Sequence, residues 1–516
     1  MVDQIVRNGR VWNGRRDGAE PGDILLRGGR VVDIVRSGSG PDGPDVIDVQ
    51  GAVVTPGLVD AHLHLMLGAE SSLRLDLSPV RSRAEFEAAI ERAHEALPDD
   101  RWLIATGWND TRWPDQEVPD MSWLRGAGDR PVVCWRCDWH SVLVNGPVLS
   151  QLDQSAAGAG GGVVRKAADG SPTGLLSEAA AWQFVVPLIP PLPEDARRAA
   201  LDQSLQDLLK VGITAVRTME YWRDVERHLA PRADSIPLRV SIVELDRDLP
   251  LVRRTGVRET SRFRVGGCKS FFDGTLGSRT ARLRTPYADA PNSRGMWVEH
   301  ALRGEAAKWC REVTALGRSQ VIHAIGDEAL GRAISLLRDV PETQCATIEH
   351  AEVVAPEDLA RMGGLRLSVQ PTHRSGDAMM ADERLGPRSR WLLPMRDMLD
   401  AGATLCFGTD WPIVPVDPLG TLRAAIKGTD DRGRPFHASQ AVSPAEAFRA
   451  ATVHASEAAG FPAALVPGGP GDFVVWEGNP FEDIGPCAVR ATFVDGTLVA
   501  GSLPSGPLRR DECLRD

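Results

Sequence analysis

Apolar and polar residues alternate in short runs at both ends of the chain, and the middle follows a different rhythm. Before residue 56, QIVRNGRVW, DILLRGGRVVDIV and DVIDVQGAVV alternate with a period of two between Gly, Pro and Asp. Such runs predict small antiparallel strands. GDFVVWEG and ATFVDGTLVAG repeat the texture near the other end. Together they predict one β-sandwich built from residues 1–56 and 457–516. From about residue 200, amphipathic helices alternate with near-continuous apolar strands. DARRAALDQSLQDLLKVG leads to ITAVRTM, followed by LRVSIVEL, CKSFFDG, QVIHAIGD, ATIEHAEVV, RLSVQPTH and TLCFGTDWPIV. VTPGLVDAHLHL, reaching into residues 57–69, is the first strand of this set. Continuous apolar strands are those buried on both faces of a parallel sheet. Eight of them alternating with helices predict an α/β fold, a (β/α)8 TIM barrel completed by residues 201–456.

One connection breaks the rhythm. Residues 70–200 separate the first strand from the second, where barrel connections are usually far shorter. This stretch has its own helix (RAEFEAAIERAHEAL) and strands (PVVCWRC, SVLVN), so it predicts an α+β insertion. It follows the C-terminal end of a strand, the face where barrel enzymes place their sites, and is read as a lid or substrate domain. Its Gly-rich turn, AAGAGGG at 156–162, lacks both G-K-[ST] and G-x-G-x-x-G and reads as a flexible connector.

Composition narrows the partners. A net charge of −11, with no basic run interleaved with aromatics, argues against nucleic acid and anionic membranes. The first residues lack the apolar core of a signal peptide, and no stretch approaches the length of a membrane span. Eight scattered cysteines fit reduced thiols in a cytoplasm better than a disulfide framework. Cys134 and Cys137 form a C-x-x-C without a second pair or a redox setting, and read as packing.

The candidate chemistry lies at the strand ends. His62 and His64 form H-x-H, and residues i and i+2 share a face of a strand. His323 ends a later strand in VIHAIGD, His350 the next in TIEHAEV, and Asp410 the last in CFGTDWP. Taken singly, each has a bland reading: a packed core histidine, or an aspartate that starts a turn. Taken together at corresponding strand ends, four imidazoles and a carboxylate suit zinc or a similar divalent ion. Of the other histidines, His94 falls on an amphipathic helix, whereas His140 in CDWHSVLVN and His373 in VQPTH are candidate pocket residues. Lys269 is anomalous. The chain has only four other lysines, and this one stands in an apolar strand where an ammonium ion is costly to desolvate. Its bland reading is a packed stem with the amine at the surface.

VTPGLVDAHLHL, KSFFDGTLGSRTA, VIHAIGD, TIEHA and GTDWPI resemble the signatures of the amidohydrolase superfamily. Within it they resemble the branch of N-substituted formamide deformylase-like hydrolases. The likeness spans nearly the whole chain, including GWNDTRW, CDWHSVLVN, DGSPTGLLSEAA and VSPAEAFRAAT. It implies that His62, His64, His323 and His350 are metal ligands and that Asp410 is a metal-bound acid/base. It places Lys269 where relatives carry a carboxylated lysine, N6-carboxylysine, bridging two ions. Desolvation lowers a lysine pKa from about 10.4, which favours the neutral amine that reacts with carbon dioxide. The implied cofactor is one or two Zn2+ ions. The implied reaction is hydrolysis of a C–N amide-type bond, in an N-substituted formamide or related N-acyl amine, by a metal-activated hydroxide. Trp108, His140, Glu178 and His373 are the candidate substrate contacts, and tryptophans 102, 108, 113, 135 and 139 suggest an aromatic or apolar group beside the scissile bond. Expected partners are a small-molecule substrate and a second copy in a homodimer. Two departures stand out. Trp139 replaces the small residue usual in relatives, and LVPGGPGDFVVW lacks their lysine-containing turn. Cyclic-amide opening, decarboxylation or isomerisation in the same pocket, and a metal-free binding role, are the alternatives, because fold does not fix function.

Overall fold

The computed structural model describes residues 2–41, 45–114, 117–153, 157–158, 161–245, 257–339 and 346–503. At its centre stand eight parallel strands: β1 (Leu58–Leu63), β2 (Ile213–Glu220), β3 (Arg239–Glu244), β4 (Phe263–Phe271), β5 (Ser319–Ala324), β6 (Thr347–His350), β7 (Arg366–Val369) and β8 (Thr404–Phe407). They pair in chain order from β1 to β8. Strands β1, β2 and β3 are buried along their whole length, which is why they carry no alternation in sequence. The two edges of the sheet meet just beyond the strand ends. The Asp410 N–H donates to the His62 carbonyl at 2.7 Å, and the His64 N–H to the Trp411 carbonyl at 2.8 Å. The Asp60 carboxylate accepts from the Thr409 N–H at 3.0 Å and its hydroxyl at 2.6 Å. Gly408 allows this approach, since a Cβ there would lie 2.6 Å from the His62 nitrogen. The eight strands therefore form a nearly closed TIM-type barrel, with Asp410 beside His62.

Helices cover the barrel by burying one apolar stripe each. In Glu194–Lys210 the stripe includes Leu201, Leu205, Leu208 and Leu209. These join Val216, Ile242, Ile322, Ile348 and Leu405 of the strands in one continuous core.

Both ends of the chain contribute to a separate eight-stranded sheet. Val54, in the N-terminal part, pairs with Val475 in the C-terminal part. The pairing path is continuous, and the sheet curls so that its turns meet: Gly496 N–H donates to the Gly471 carbonyl, and Gly471 N–H to the Gly29 carbonyl. Val6, Ile24, Val475 and the stacked rings of Phe473 and Phe493 fill its interior.

Between β1 and β2 the chain forms a six-stranded sheet running from Leu75–Asp76 to Pro172–Glu178. Helix Arg83–Ala96, capped by the Ser82 hydroxyl accepting from Glu85 N–H, packs Phe86 and Ile90 against Trp108, Trp113 and Trp123. Positions 156, 159 and 160 of the Gly-rich turn lie outside the described residues. Cys134 and Cys137 are both unpaired, and burial pushes both thiols up, so neither is a ready thiolate. Among the described residues, no helix is long and apolar enough to cross a membrane.

Candidate metal centre

The C-terminal ends of β1, β4, β5, β6 and β8 converge on one face of the barrel. His62 is fully buried, and its Nδ1 lies 2.5 Å from Glu349 Oε2. Burial alone would raise the Glu349 pKa, but Arg217, whose Nη1 is 2.9 Å from Oε1, and His62 outweigh it and hold the group well below the usual carboxylate range. The carboxylate fixes the His62 proton on Nδ1, so Nε2 faces inward as a donor atom. That Nε2 is 3.3 Å from Asp410 Oδ1, and His64 Nε2 is 3.4 Å from the same oxygen. Ligands at about 2.0–2.1 Å from a tetrahedral ion stand about 3.3–3.4 Å apart. Each imidazole is thus at ligand spacing from Asp410, and the donor atoms of all three lie within 4.8 Å of one another. Burial lowers the His64 pKa to about 4, leaving it as the neutral imidazole that ligates metals. Burial works the other way on Asp410, but His62, His64 and His350 prevail and keep it ionised, well below the ordinary value.

His323 and His350 stand alongside, with ring centroids 4.4 Å apart. His323 uses Nε2 on the Gly274 carbonyl at 3.1 Å. Its Nδ1 and the Nδ1 of His350 are buried without hydrogen-bond partners. Burial, the largest influence on both, pushes their pKa values well down. Two orphaned neutral nitrogens are costly unless something ligates them, and an ion satisfies them. Lys269 is 3% exposed. Its Nζ is 3.1 Å from His62 Nε2 and 4.6 Å from the Phe271 ring centroid. His350 and Asp410 both adopt left-handed backbone, at φ 71° and 62°, a strain typical of functional sites. The donor set therefore fits a divalent metal, and all six residues expected as ligands from the sequence lie together.

The remaining candidates divide. His140 and His373 line a cavity of about 1020 Å³ above the centre, together with Trp135, Trp139 and Trp182. Glu178 does not face this cavity. It lies fully buried behind His140, whose Nδ1 is 3.0 Å from Oε2. Trp108 does not line the cavity: it is 1% exposed in the core of the insertion, where its indole N–H donates to the Cys134 carbonyl at 3.2 Å. Several residues of the site have no counterpart in the sequence reading. Glu349 and Arg217 orient His62. Glu352 sits 3.3 Å from His373 Nδ1 and, against the effect of burial, raises that imidazole to about 9. Glu349 carried a readable signal, an acidic residue inside an apolar strand, of the same kind as Lys269.

A family model described as "Amidohydrolase family" matches residues 45–503. The chain belongs to the amidohydrolase family. The resemblance drawn from the strand-end motifs is borne out. This amidohydrolase is 28% identical to Protein LONG AFTER FAR-RED 3 of Arabidopsis thaliana, over 96% of this chain and 91% of the relative. It is 25% identical to N-substituted formamide deformylase of Arthrobacter pascens, over 92% and 94%. Among solved structures, an uncharacterized metal-dependent hydrolase from Pyrococcus horikoshii superposes with a TM-score of 0.71 at 25% identity, over 93% of this chain and 98% of that one. The amidohydrolase is a metal-dependent hydrolase of carbon–nitrogen bonds other than peptide bonds.

Proposed function

We propose that this amidohydrolase cleaves an N-substituted formamide or a related N-acyl amine, using zinc held by His62, His64, Asp410 and, for a second ion, His323 and His350. The observation that carries the reading is the placing of Asp410. Its Oδ1 lies within 3.4 Å of the His62 and His64 Nε2 atoms, on the floor of a cavity with an aromatic wall. When bound, the ion lowers the pKa of water and polarises the scissile carbonyl. Asp410 Oδ1 faces His62 and His64, which leaves Oδ2 to take the proton of the attacking water and return it to the departing nitrogen. Glu349 keeps His62 from turning, and the insertion, as a substrate domain, supplies one wall of the cavity. Trp135 and Trp139, stacked at 5.3 Å, offer an apolar surface to the nitrogen substituent. Lys269, its Nζ 3.1 Å from His62 Nε2, would as a carbamate add an anionic ligand to this set.

Zinc- or manganese-loaded protein incubated with N-formyl amines, N-acyl amines and cyclic amides tests this reading, with release of amine and acid as the readout. Turnover of another carbonyl reaction with no C–N bond cleaved overturns it. For Lys269, high-resolution density showing a bare amine beside a fully occupied metal site removes the carbamate and leaves the histidines and Asp410 in place.

A further inference from the structure

His62 is not alone in having its Nδ1 held by a carboxylate. His140 donates from Nδ1 to Glu178, whose oxygens lie at 3.0 and 3.2 Å, and both residues come from the insertion rather than the barrel. In the neutral ring, a proton on Nδ1 toward Glu178 leaves Nε2 as the acceptor. The ring is clamped beside the metal centre: Trp182 meets it edge-on at 4.8 Å, His323 lies at 5.4 Å and Phe271 at 5.9 Å.

The backbone is fastened as firmly. The Trp182 indole N–H donates to the Trp139 carbonyl at 2.9 Å. Asp138, two residues before His140, accepts from Arg136 at 2.7 Å, the Thr275 hydroxyl at 2.8 Å and the Ser278 hydroxyl at 2.7 Å. This ties the segment to the loop that follows β4. Trp139 and Glu178 each sit at φ 57°, a left-handed conformation that bulky residues keep only where their surroundings force it. Glu178 has room only because residue 274 is glycine, since a Cβ there would lie 2.1 Å from its Oε1. Steric and conformational strain is thus spent on holding one imidazole over the cavity, and neither the proposed ligand set nor the Asp410 proton transfer uses it.

We propose that His140 is a catalytic residue supplied by the insertion. Its Nε2 accepts the N–H of the scissile amide, so the enzyme selects amides that carry an N–H over their N-methylated counterparts. The inference rests on the amide-cleaving reading above. In that pose the carbonyl oxygen points to the metal ligands, and the amide nitrogen is the group left to meet an acceptor. Glu178 is a positioning residue that acts through His140.

The test compares zinc-loaded full-length protein on N-butylformamide and N-butyl-N-methylformamide. Wild type is expected to favour the N–H member by about tenfold to a hundredfold in kcat/KM, the range for leaving a buried acceptor unpaired. In His140→Ala the preference collapses to within about twofold with zinc content unchanged. His140→Phe keeps the ring packing against Trp182 and is expected to behave the same way, which keeps the test decisive should the alanine variant misfold. Glu178→Gln, whose amide oxygen still accepts from Nδ1, retains the preference, and Glu178→Ala loses it. Unchanged preference in a folded His140 variant overturns the inference, as does loss of zinc, which would make His140 a ligand. Wild-type protein that releases amine from neither formamide overturns the amide-cleaving reading and the inference with it.

Discussion

The cavity has two walls built by different means. On the barrel side, each working group stands near or just past a strand end, and neighbouring strands fix its position through backbone pairing: His62 on β1 and His64 just beyond it, Lys269 on β4, His323 on β5, His350 on β6 and Asp410 beyond β8. On the insertion side, Trp135, Trp139 and His140 are placed by the packing of a second sheet and by side-chain ties such as Asp138 to Thr275 and Ser278. The first wall can hold metal ligands to a fraction of an ångström, which coordination demands. The second carries none of the six expected ligands. Chemistry therefore belongs to the rim and selectivity to the insertion, and substitutions on the two sides should separate in kcat and in substrate preference.

The sharpest way to break that division is at Asp410. Asp410→Asn keeps the size of the side chain and removes its basicity. We expect kcat to fall by on the order of 10²–10⁴-fold, the worth of a positioned acid/base, with little change in the relative rates of different substrates. Preference that changes along with kcat would mean that the rim also selects. Behind the ligands, Glu349→Gln should weaken zinc binding by about 10–100-fold, as loss of an outer carboxylate does, leaving the Arg217 guanidinium, 2% exposed, without its charge partner. Competition with a chelator measures this directly, and an unaltered zinc affinity would remove Glu349 from the site.

The same division explains what the sequence could and could not disclose. Ligands on the rim are legible because strand register places them: an H-x-H on an apolar strand, or a His or Asp at its end, lands at the mouth of a barrel wherever the barrel forms. Lys269 was legible through the cost of burying it. Glu349 presented the same cost, but it sits beside His350 and was absorbed into that motif. On the insertion the register argument fails. Trp108 follows Gly107, at φ 94°, and the pairing with the neighbouring strand shifts between Thr106 and Trp108. Thr106, Gly107 and Asn109 consequently line the cavity, while Trp108 turns into the insertion core. Alternation along GWNDTRW carries no trace of that shift. The pairing of His373 with Glu352 was equally hidden, because it joins residues after β6 and β7 that only the folded barrel brings together.

Gly274 lies on the seam between the walls, its carbonyl on His323 and its missing side chain against Glu178. Gly274→Ala brings a Cβ to 2.1 Å from both Glu178 Oε1 and Thr280 Oγ1, so one of these buried partners has to move. The expected result is a loss of about 1–3 kcal/mol, the range for overpacking a buried site, together with a several-fold fall in kcat/KM. Thermal unfolding and kinetics read the two effects. A variant as stable and as active as wild type would show that the walls are not coupled here.

The smallest expected effect sharpens a contrast within the rim itself. Glu220 ends β2 and lines the same cavity as Asp410, but its hydrogen bonds come from a hydroxyl and a backbone N–H rather than from imidazoles. Burial raises its pKa to about 8, and the hydrogen bonds it accepts from the Thr218 hydroxyl at 2.5 Å and the Met66 N–H at 3.1 Å do not reverse this. The folded protein therefore keeps a proton on Glu220 that the unfolded chain releases near pH 4.5. Stability from this group is fully present below that value, declines as pH rises toward 8, and levels off above it. Glu220→Gln, which mimics the protonated form, should remove the decline. We expect its melting temperature to match wild type near pH 4.5 and to exceed it at pH 8.5 by about 1 °C for each kcal/mol gained, the scaling for a chain of 516 residues. The neutral acid is then a hydrogen-bond donor facing the cavity, the opposite of Asp410, which must stay ionised to accept a proton. An equal offset at both pH values would show that Glu220 is ionised when folded, and the rim would then carry two carboxylates in the same state.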